Sequence, residues 1–412
     1  MGRDGQELGK EVFCVIRSAT DAQSADVFVG LTTSCLRPIS TAPRYASGPY
    51  ANICSMRWSN LTPEAEARAR LPGYREEAVV RHFDAPEAIS TRFYEVRARS
   101  ILNRVPEASQ MPFRWTINPY RGCTHACVYC FARPTHKYLD FDAGRDFERE
   151  IVVKVNAPEL LRAELARASW KGEHVALGTN TDPYQWVEGR YKLMPGIWEA
   201  MLEATNPCSV LTKSPLLLRD LPLLKALAAK SGFSAALSVP TLDEQAWRAT
   251  EPHTPNPRAR LEAVAELTRA GIRTGVMVAP LMPGINDSPE QLAPILEHAS
   301  EAGAAYVTGI ALHLRGEVRD LFFAWLREHR PDLISCYEQL YRKGAYATPE
   351  ERRRLAGLVR GPELSPEQRM RGGLPEFGRG RLTAGPGTTT TAAAEPQARP
   401  HPSRGALQTR LF

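Results

Sequence analysis

Cys123, Cys127 and Cys130 fall within eight residues and carry the strongest chemical signal in the chain. They lie in Asn118-Pro119-Tyr120-Arg121-Gly122-Cys123-Thr124-His125-Ala126-Cys127-Val128-Tyr129-Cys130, a C-x3-C-x2-C loop that turns three sulfurs toward one face. Three thiolates ligate three irons of a cubane cluster and leave the fourth iron open, which is what a substrate or cofactor needs in order to coordinate. The alternative is a structural zinc site completed by His125, His136 or a distant cysteine. Zinc sites are typically built from paired C-x2-C knuckles, however, and no second knuckle follows. Arg121, Thr124 and His125 interleave with the thiols, unlike the surroundings of cysteines that merely pack in a core.

The elements that must position this loop follow a repeating pattern. From Phe113 onward, short β-rich runs alternate with amphipathic helices, the signature of βα units and a parallel sheet. Strands are expected at Trp115 to Ile117, Val175 to Gly178, Ser209 to Thr212, Phe233 to Val239, Thr274 to Ala279 and Ala305 to Ala311. Asn156 is expected to cap a helix over Ala157 to Ala168, and Ser214 and Asp220 to cap the Leu-rich stretch to Ala229. Gly271 is expected to end the helix through Leu261-Glu262-Ala263-Val264. Such an array fits an incomplete barrel or a doubly wound sheet, and in both the chemistry sits at the C-terminal ends of the strands.

With 43% hydrophobic and 24% charged residues among 412, the chain has the composition of a soluble protein with a sizeable core. The first thirty residues lack the apolar stretch of a signal peptide, and no run of about eighteen apolar residues appears anywhere, so membrane and secreted classes are set aside and the cytoplasm is expected. Eight cysteines in so long a chain are not a disulfide framework. The net charge of +6 is compatible with a nucleic-acid partner and equally with a solvated basic surface. Residues 1–55 read as a disordered or spurious N-terminal extension with Met56 as an alternative start, and 56–110 as a basic flank containing a helix or strand pair over Phe93 to Leu102. Residues 111–345 read as the catalytic core, and 346–412 as a helical, basic segment and a flexible low-complexity tail.

The cysteine loop, with Tyr129 before its last cysteine and its place between the first strand and helix of a βα array, resembles the radical S-adenosylmethionine (SAM) superfamily over about residues 113 to 315. The resemblance implies a partial (βα)6 TIM-type barrel, a 4Fe-4S cluster on Cys123, Cys127 and Cys130, and SAM chelating the open iron. Reductive cleavage of SAM to methionine and a 5′-deoxyadenosyl radical is the chemistry it implies, with a flavodoxin or ferredoxin as the kind of electron donor. Within the superfamily, Tyr120-Arg121-Gly122-Cys123, Gly178-Thr179-Asn180-Thr181-Asp182-Pro183-Tyr184 and Leu211-Thr212-Lys213-Ser214 resemble the branch around spore photoproduct lyase. That likeness assigns SAM contacts to Thr181, Lys213 and the backbone at Ala279, and makes DNA repair or nucleic-acid modification the expected role. Two positions depart from it. Thr179 stands where the lyase has its hydrogen-donating cysteine, and Phe131 where it has a tyrosine.

A strand-end hydroxyl such as that of Thr181 can bond the methionyl group, and a cationic Lys213 offsets carboxylate charge. Arg133, His136, Lys137 and Tyr138 follow the loop as candidate substrate or phosphate contacts, or as a solvated face. Arg260, His313 and Arg315 sit where the family places cofactor and substrate groups, while Cys208 and Cys336 read as core packing. The terminal Gln408, Leu411 and Phe412 resemble the peptide by which bacterial repair proteins dock on the sliding clamp. Two other readings compete with nucleic-acid chemistry: a radical enzyme acting on protein, RNA or a small molecule, and a non-catalytic zinc-binding interaction module.

Overall fold

The strands form where aliphatic and β-branched residues run together. In the computed structural model, which describes residues 63–83, 90–109 and 111–359, they are β1 (Pro63–Ala69), β2 (Ala78–Phe83), β3 (Arg92–Val96), β4 (Leu102–Arg104), β5 (Trp115–Ile117), β6 (Tyr120–Arg121), β7 (Glu150–Lys154), β8 (Val175–Leu177), β9 (Cys208–Thr212), β10 (Phe233–Ser238), β11 (Arg273–Leu281) and β12 (Val307–Ala311). Strands β5, β8, β9, β10, β11 and β12 pair parallel in that order, and β4 closes the edge antiparallel to β5. Strand order that follows chain order without a reversal is barrel winding, which decides between the two architectures open to the sequence: the fold is a partial (βα)6 TIM-type barrel.

Val175, Ala176 and Leu177 of β8 are all buried, as expected of a parallel strand covered on both faces. Helices Ala157–Leu165, Leu193–Glu203, Leu221–Lys230, Pro257–Arg269 and Pro289–Glu301 supply the outer cover, with Trp198, Leu224, Val264, Leu267 and Ile295 fully buried in the main core. Gly271, at φ +81°, ends Pro257–Arg269 as expected. Ser214 also caps as expected, accepting from Leu216 N, though the turn it starts is the 3-10 segment Pro215–Asp220. Two expected caps do other work. Asn156 exchanges hydrogen bonds with the backbone of Ala98, accepting at 2.8 Å and donating at 3.0 Å, and Asp220 accepts from Tyr184 Oη at 2.8 Å. Each found a tertiary donor in place of the free N–H at its own helix start.

The stretch Phe93 to Leu102 forms two strands that join different sheets, β3 and β4. A second sheet runs β1-β2-β3-β7-β6, with β3 and β7 parallel. Arg92 grips Glu150 across that pair at 2.6 and 2.8 Å, and Tyr94 Oη donates to the same carboxylate at 2.9 Å. Glu164 fastens this sheet's exit to the barrel by accepting from Ile101 N and Leu102 N. The helix Pro349–Leu358 packs at the far edge beside β12, where Leu355 and Val359 enter the main core. No helix among the described residues is long and apolar enough to cross a membrane.

Candidate active site

The cysteine loop leaves β6 at Gly122, whose φ of +81° suits glycine; a Cβ there would lie 2.9 Å from Phe147 O, His136 Cε1 and Ile151 Cδ1. Beyond it the loop is held from several sides. Cys123 N donates to Phe147 O at 2.9 Å and Val128 N to Thr250 O at 3.1 Å. Buried Gln185 accepts from Thr124 N at 3.0 Å and donates to Gly122 O at 3.2 Å. Arg133, almost wholly buried, donates to Ala126 O at 3.1 Å, Cys127 O at 3.0 Å and Gly144 O at 2.8 Å, and pairs with Glu148. A planar guanidinium that satisfies carbonyls on both sides of a turn fixes its shape.

So held, the three thiols line one cavity of about 220 Å³. Its remaining wall is the C-terminal rim of the barrel: Gly178, Asn180 and Asp182 after β8, Thr212 and Lys213 at β9, Ser238 at β10, Met277, Ala279 and Pro280 in β11, and Ile310 to His313 at β12. Gly178, at φ +76°, lets β8 pass β9 closely, since a Cβ there would stand 1.8 Å from Leu211 O. Among the described residues no group of three or more His, Cys, Asp or Glu side chains is already placed to hold a metal ion. Burial pushes the Cys130 thiol up to about 11.

Asp182 ties the rim together. It accepts from Thr212 Oγ1 at 2.6 Å, Lys213 N at 2.7 Å and Tyr184 N at 2.9 Å, and its Oδ2 lies 3.4 Å from His125 Nδ1. Burial would raise its pKa, but these partners hold it below the usual carboxylate range. Neither ring nitrogen of buried His125 has a hydrogen-bond partner among the described residues, so the Asp182 approach is an ion-pair contact without hydrogen-bond geometry. Burial would lower the His125 pKa, and the sulfur of Cys123 and the Asp182 carboxylate override it, raising it to about 9.

Lys213 reaches Ser238 Oγ at 2.7 Å and Glu251 at 3.0 Å, with its ammonium 5.8 Å from the Tyr129 ring centre. Ser238 in turn donates to Ala279 O at 2.9 Å, just before the cis Ala279–Pro280 bond. Glu251 is 1% exposed and also takes Arg260 at 2.8 Å and the Tyr129 hydroxyl. Burial alone would raise its pKa; Arg260 and Lys213 bring it down to about 2.

The structure brings Cys123, Cys127, Cys130, Lys213, Ala279 and His313 to one cavity. Thr181 is not on its wall: its buried hydroxyl donates to Tyr120 O at 2.9 Å, and its neighbours Asn180 and Asp182 line the cavity. Thr179 is likewise off the wall, and Phe131 is on it. Arg260 and Arg133 are internal braces, and His136 is buried against Glu150 O at 2.8 Å. Lys137 pairs with Glu317, and His313 stacks on Tyr346 with centroids 4.3 Å apart. Cys208 is buried in the core as expected, whereas Cys336 is exposed and so does not pack as the sequence suggested. Glu251, Gln185 and Ser238 escaped the sequence reading. Asp182-Pro183 followed by Glu188 also reads from the sequence as a turn and a surface acid, but both carboxylates are buried and Asp182 is a hub of the rim. Gln408, Leu411 and Phe412 lie outside the described residues.

The radical SAM superfamily profile matches residues 117–296. An uncharacterised protein of Mycobacterium tuberculosis (strain ATCC 25618 / H37Rv) is 48% identical over 308 residues, covering 74% of this chain and 91% of its own length. A protein of Pseudomonas phage M6 named radical SAM Nalpha-GlyT isomerase is 27% identical over 169 residues, 40% of this chain and 33% of that protein. A solved spore photoproduct lyase complexed with dinucleoside spore photoproduct superposes with a TM-score of 0.49 at 17% identity, covering 67% of this chain and 81% of that one.

Proposed function

The chain belongs to the radical SAM superfamily, and from that premise we propose that Cys123, Cys127 and Cys130 are its cluster ligands, that the β8 to β11 rim seats SAM, and that the substrate is a nucleic acid. The superfamily's cofactors are a 4Fe-4S cluster and SAM; when bound they supply one-electron cleavage of a sulfonium and a carbon radical that abstracts hydrogen. The donor set fits them. Three thiols of one short loop that line a single cavity wall suit a group with one iron per sulfur.

The chain's own residues then have definite work. Lys213, already anchored by Glu251 and Ser238, sets a positive charge where an amino acid's carboxylate is received. Asn180 and the carbonyl of Ala279 offer polar contacts on the same wall, while Met277 and Leu312 give it apolar surface that keeps water from the reacting atoms. Among the described residues no thiol besides the three ligands lines the cavity, so a closing hydrogen transfer from a cysteine is not part of this proposal.

The observation that carries the reading is the meeting of all three loop cysteines with five strand ends around one cavity. The nucleic-acid assignment is supported by the likeness of segments 178–184 and 211–214 to the spore photoproduct lyase branch and by the clamp-like Gln408, Leu411 and Phe412, and the net charge of +6 is compatible with it. The test is anaerobic reconstitution with iron and sulfide, reduction with SAM present, and chromatography for 5′-deoxyadenosine, beside a triple alanine variant of the cysteines. Product formed only with the intact triad is the expected result. A colourless, zinc-loaded, inactive protein refutes the proposal.

A further inference from the structure

A second cavity adjoins the first. It measures about 480 Å³, roughly twice the size of the cysteine cavity, and Asn180 lines both. Its walls come from the junction of the two sheets, and Arg99, Arg104, Arg121 and Lys154 line it with no aspartate or glutamate among its described residues. Lys154, at the end of β7, is only 8% exposed, and its ammonium makes no hydrogen bond or ion pair among the described residues. Glu164 acts on it only from a distance, its oxygens being taken by Ile101 N and Leu102 N. Asn118 Oδ1, on the same wall, is buried without a partner.

Four cations around one concavity repel each other, and a buried ammonium with no partner is costly, so a fold that keeps them together has a use for the field they make. Burial and the charge of Arg121 already press the Lys154 pKa down to about 7, and a bound anion would relieve both. Arg104 at the mouth already pairs with Glu107 at 3.3 Å, so Arg99, Arg121 and Lys154 are the groups left to meet the several oxygens of a phosphate group, while the free Asn118 oxygen accepts from an N–H or O–H on the same ligand.

We propose that this second cavity binds a phosphate group of the substrate, and that Asn180 stands where the phosphate-bearing molecule passes into the cysteine cavity. Calling the ligand a substrate rests on the reaction proposed above; the binding does not. The site takes a phosphate ester, whether from a nucleic-acid strand or a free nucleotide.

The test is calorimetric titration of reconstituted protein with thymidine, dTMP and hexathymidylate, pyrimidine probes chosen so that an adenosine-binding pocket does not compete. We expect dTMP to bind at least about tenfold tighter than thymidine, Lys154→Met to erase that difference, and Lys154→Arg to keep it. Tighter binding of hexathymidylate with a steeper salt dependence identifies a strand as the source, and equal binding a free nucleotide. Equal affinity for thymidine and dTMP, or a Lys154→Met protein that binds like the wild type, overturns the assignment. Should Lys154→Met fail to hold its cluster, Arg99→Ala at the exposed mouth reads the same loss, at about threefold, and unchanged dTMP affinity there overturns it as well. Deoxyadenosine formation, measured in parallel, separates the two proposals: it persists if only the phosphate site is wrong, and is absent with phosphate binding intact if only the reaction is.

Discussion

Replacing Glu251 with glutamine tests the electrostatic account of the site most sharply. The carboxylate is fully enclosed and pairs with both Lys213 and Arg260, leaving one net positive charge in the trio. A carboxyl whose pKa falls from 4.5 to about 2 on folding contributes about 3 kcal/mol to stability at neutral pH. Removing one partner of a buried ion pair costs about 3–5 kcal/mol, so two separate arguments converge. The folded pKa lies below the unfolded one, so the contribution is complete above about pH 4.5 and is lost as the pH falls toward 2. Urea unfolding of anaerobically prepared protein, followed by tryptophan fluorescence, should therefore show Glu251→Gln weaker by about 3 kcal/mol at pH 7, with the deficit narrowing below pH 4.5. A loss under about 1 kcal/mol, or one that does not change with acid, would refute the reasoning.

Lys213→Met should weaken SAM binding by about tenfold or more in anaerobic calorimetry, since a charge-assisted hydrogen bond contributes about 1.5–3 kcal/mol; unchanged affinity would remove Lys213 from the cofactor site. Gly178→Ala forces a Cβ to 1.8 Å from Leu211 O and should destabilise the protein by at least about 3 kcal/mol, seen as a fall in melting temperature. Arg133→Met should leave circular dichroism near native while iron per chain after reconstitution drops below half, because the carbonyls of Ala126 and Cys127 lose their donor. Full iron loading in that variant would show that the loop holds its shape without the clamp.

The barrel strands are legible in the sequence because each is a short apolar run bounded by glycine or polar turns, and the expected and observed limits of β5, β9 and β10 differ by at most a residue. Winding is not legible, since strand order is a long-range property that local patterning does not record. The site divides along the same line. Cys123, Cys127 and Cys130 announce themselves by spacing, whereas Lys213 and Ala279 are singled out only by the family resemblance, and Ala279 lies inside β11 with Leu281 at its end. Glu251 carries no local mark at all: Tyr129 bonds to it across 122 positions, so its role exists only after folding. Thr181 shows the opposite failure, because a hydroxyl at a strand end satisfies a backbone carbonyl as readily as a ligand. Asn156 and Asp220 have cap chemistry but found stronger donors elsewhere.

That long-range anchoring bears on how the protein is made. The cysteine loop leaves the ribosome with its thiols but without Gln185 and Thr250, which later hold its backbone, or Glu251, which later takes the Tyr129 hydroxyl. At about 5–20 residues per second, the chain spends about 6–24 seconds with the thiols synthesised and the last of these anchors still to come. Metal loading thus belongs after synthesis of the fourth βα unit, and a truncated chain ending before it would carry all three cysteines yet be a poor acceptor for a cluster.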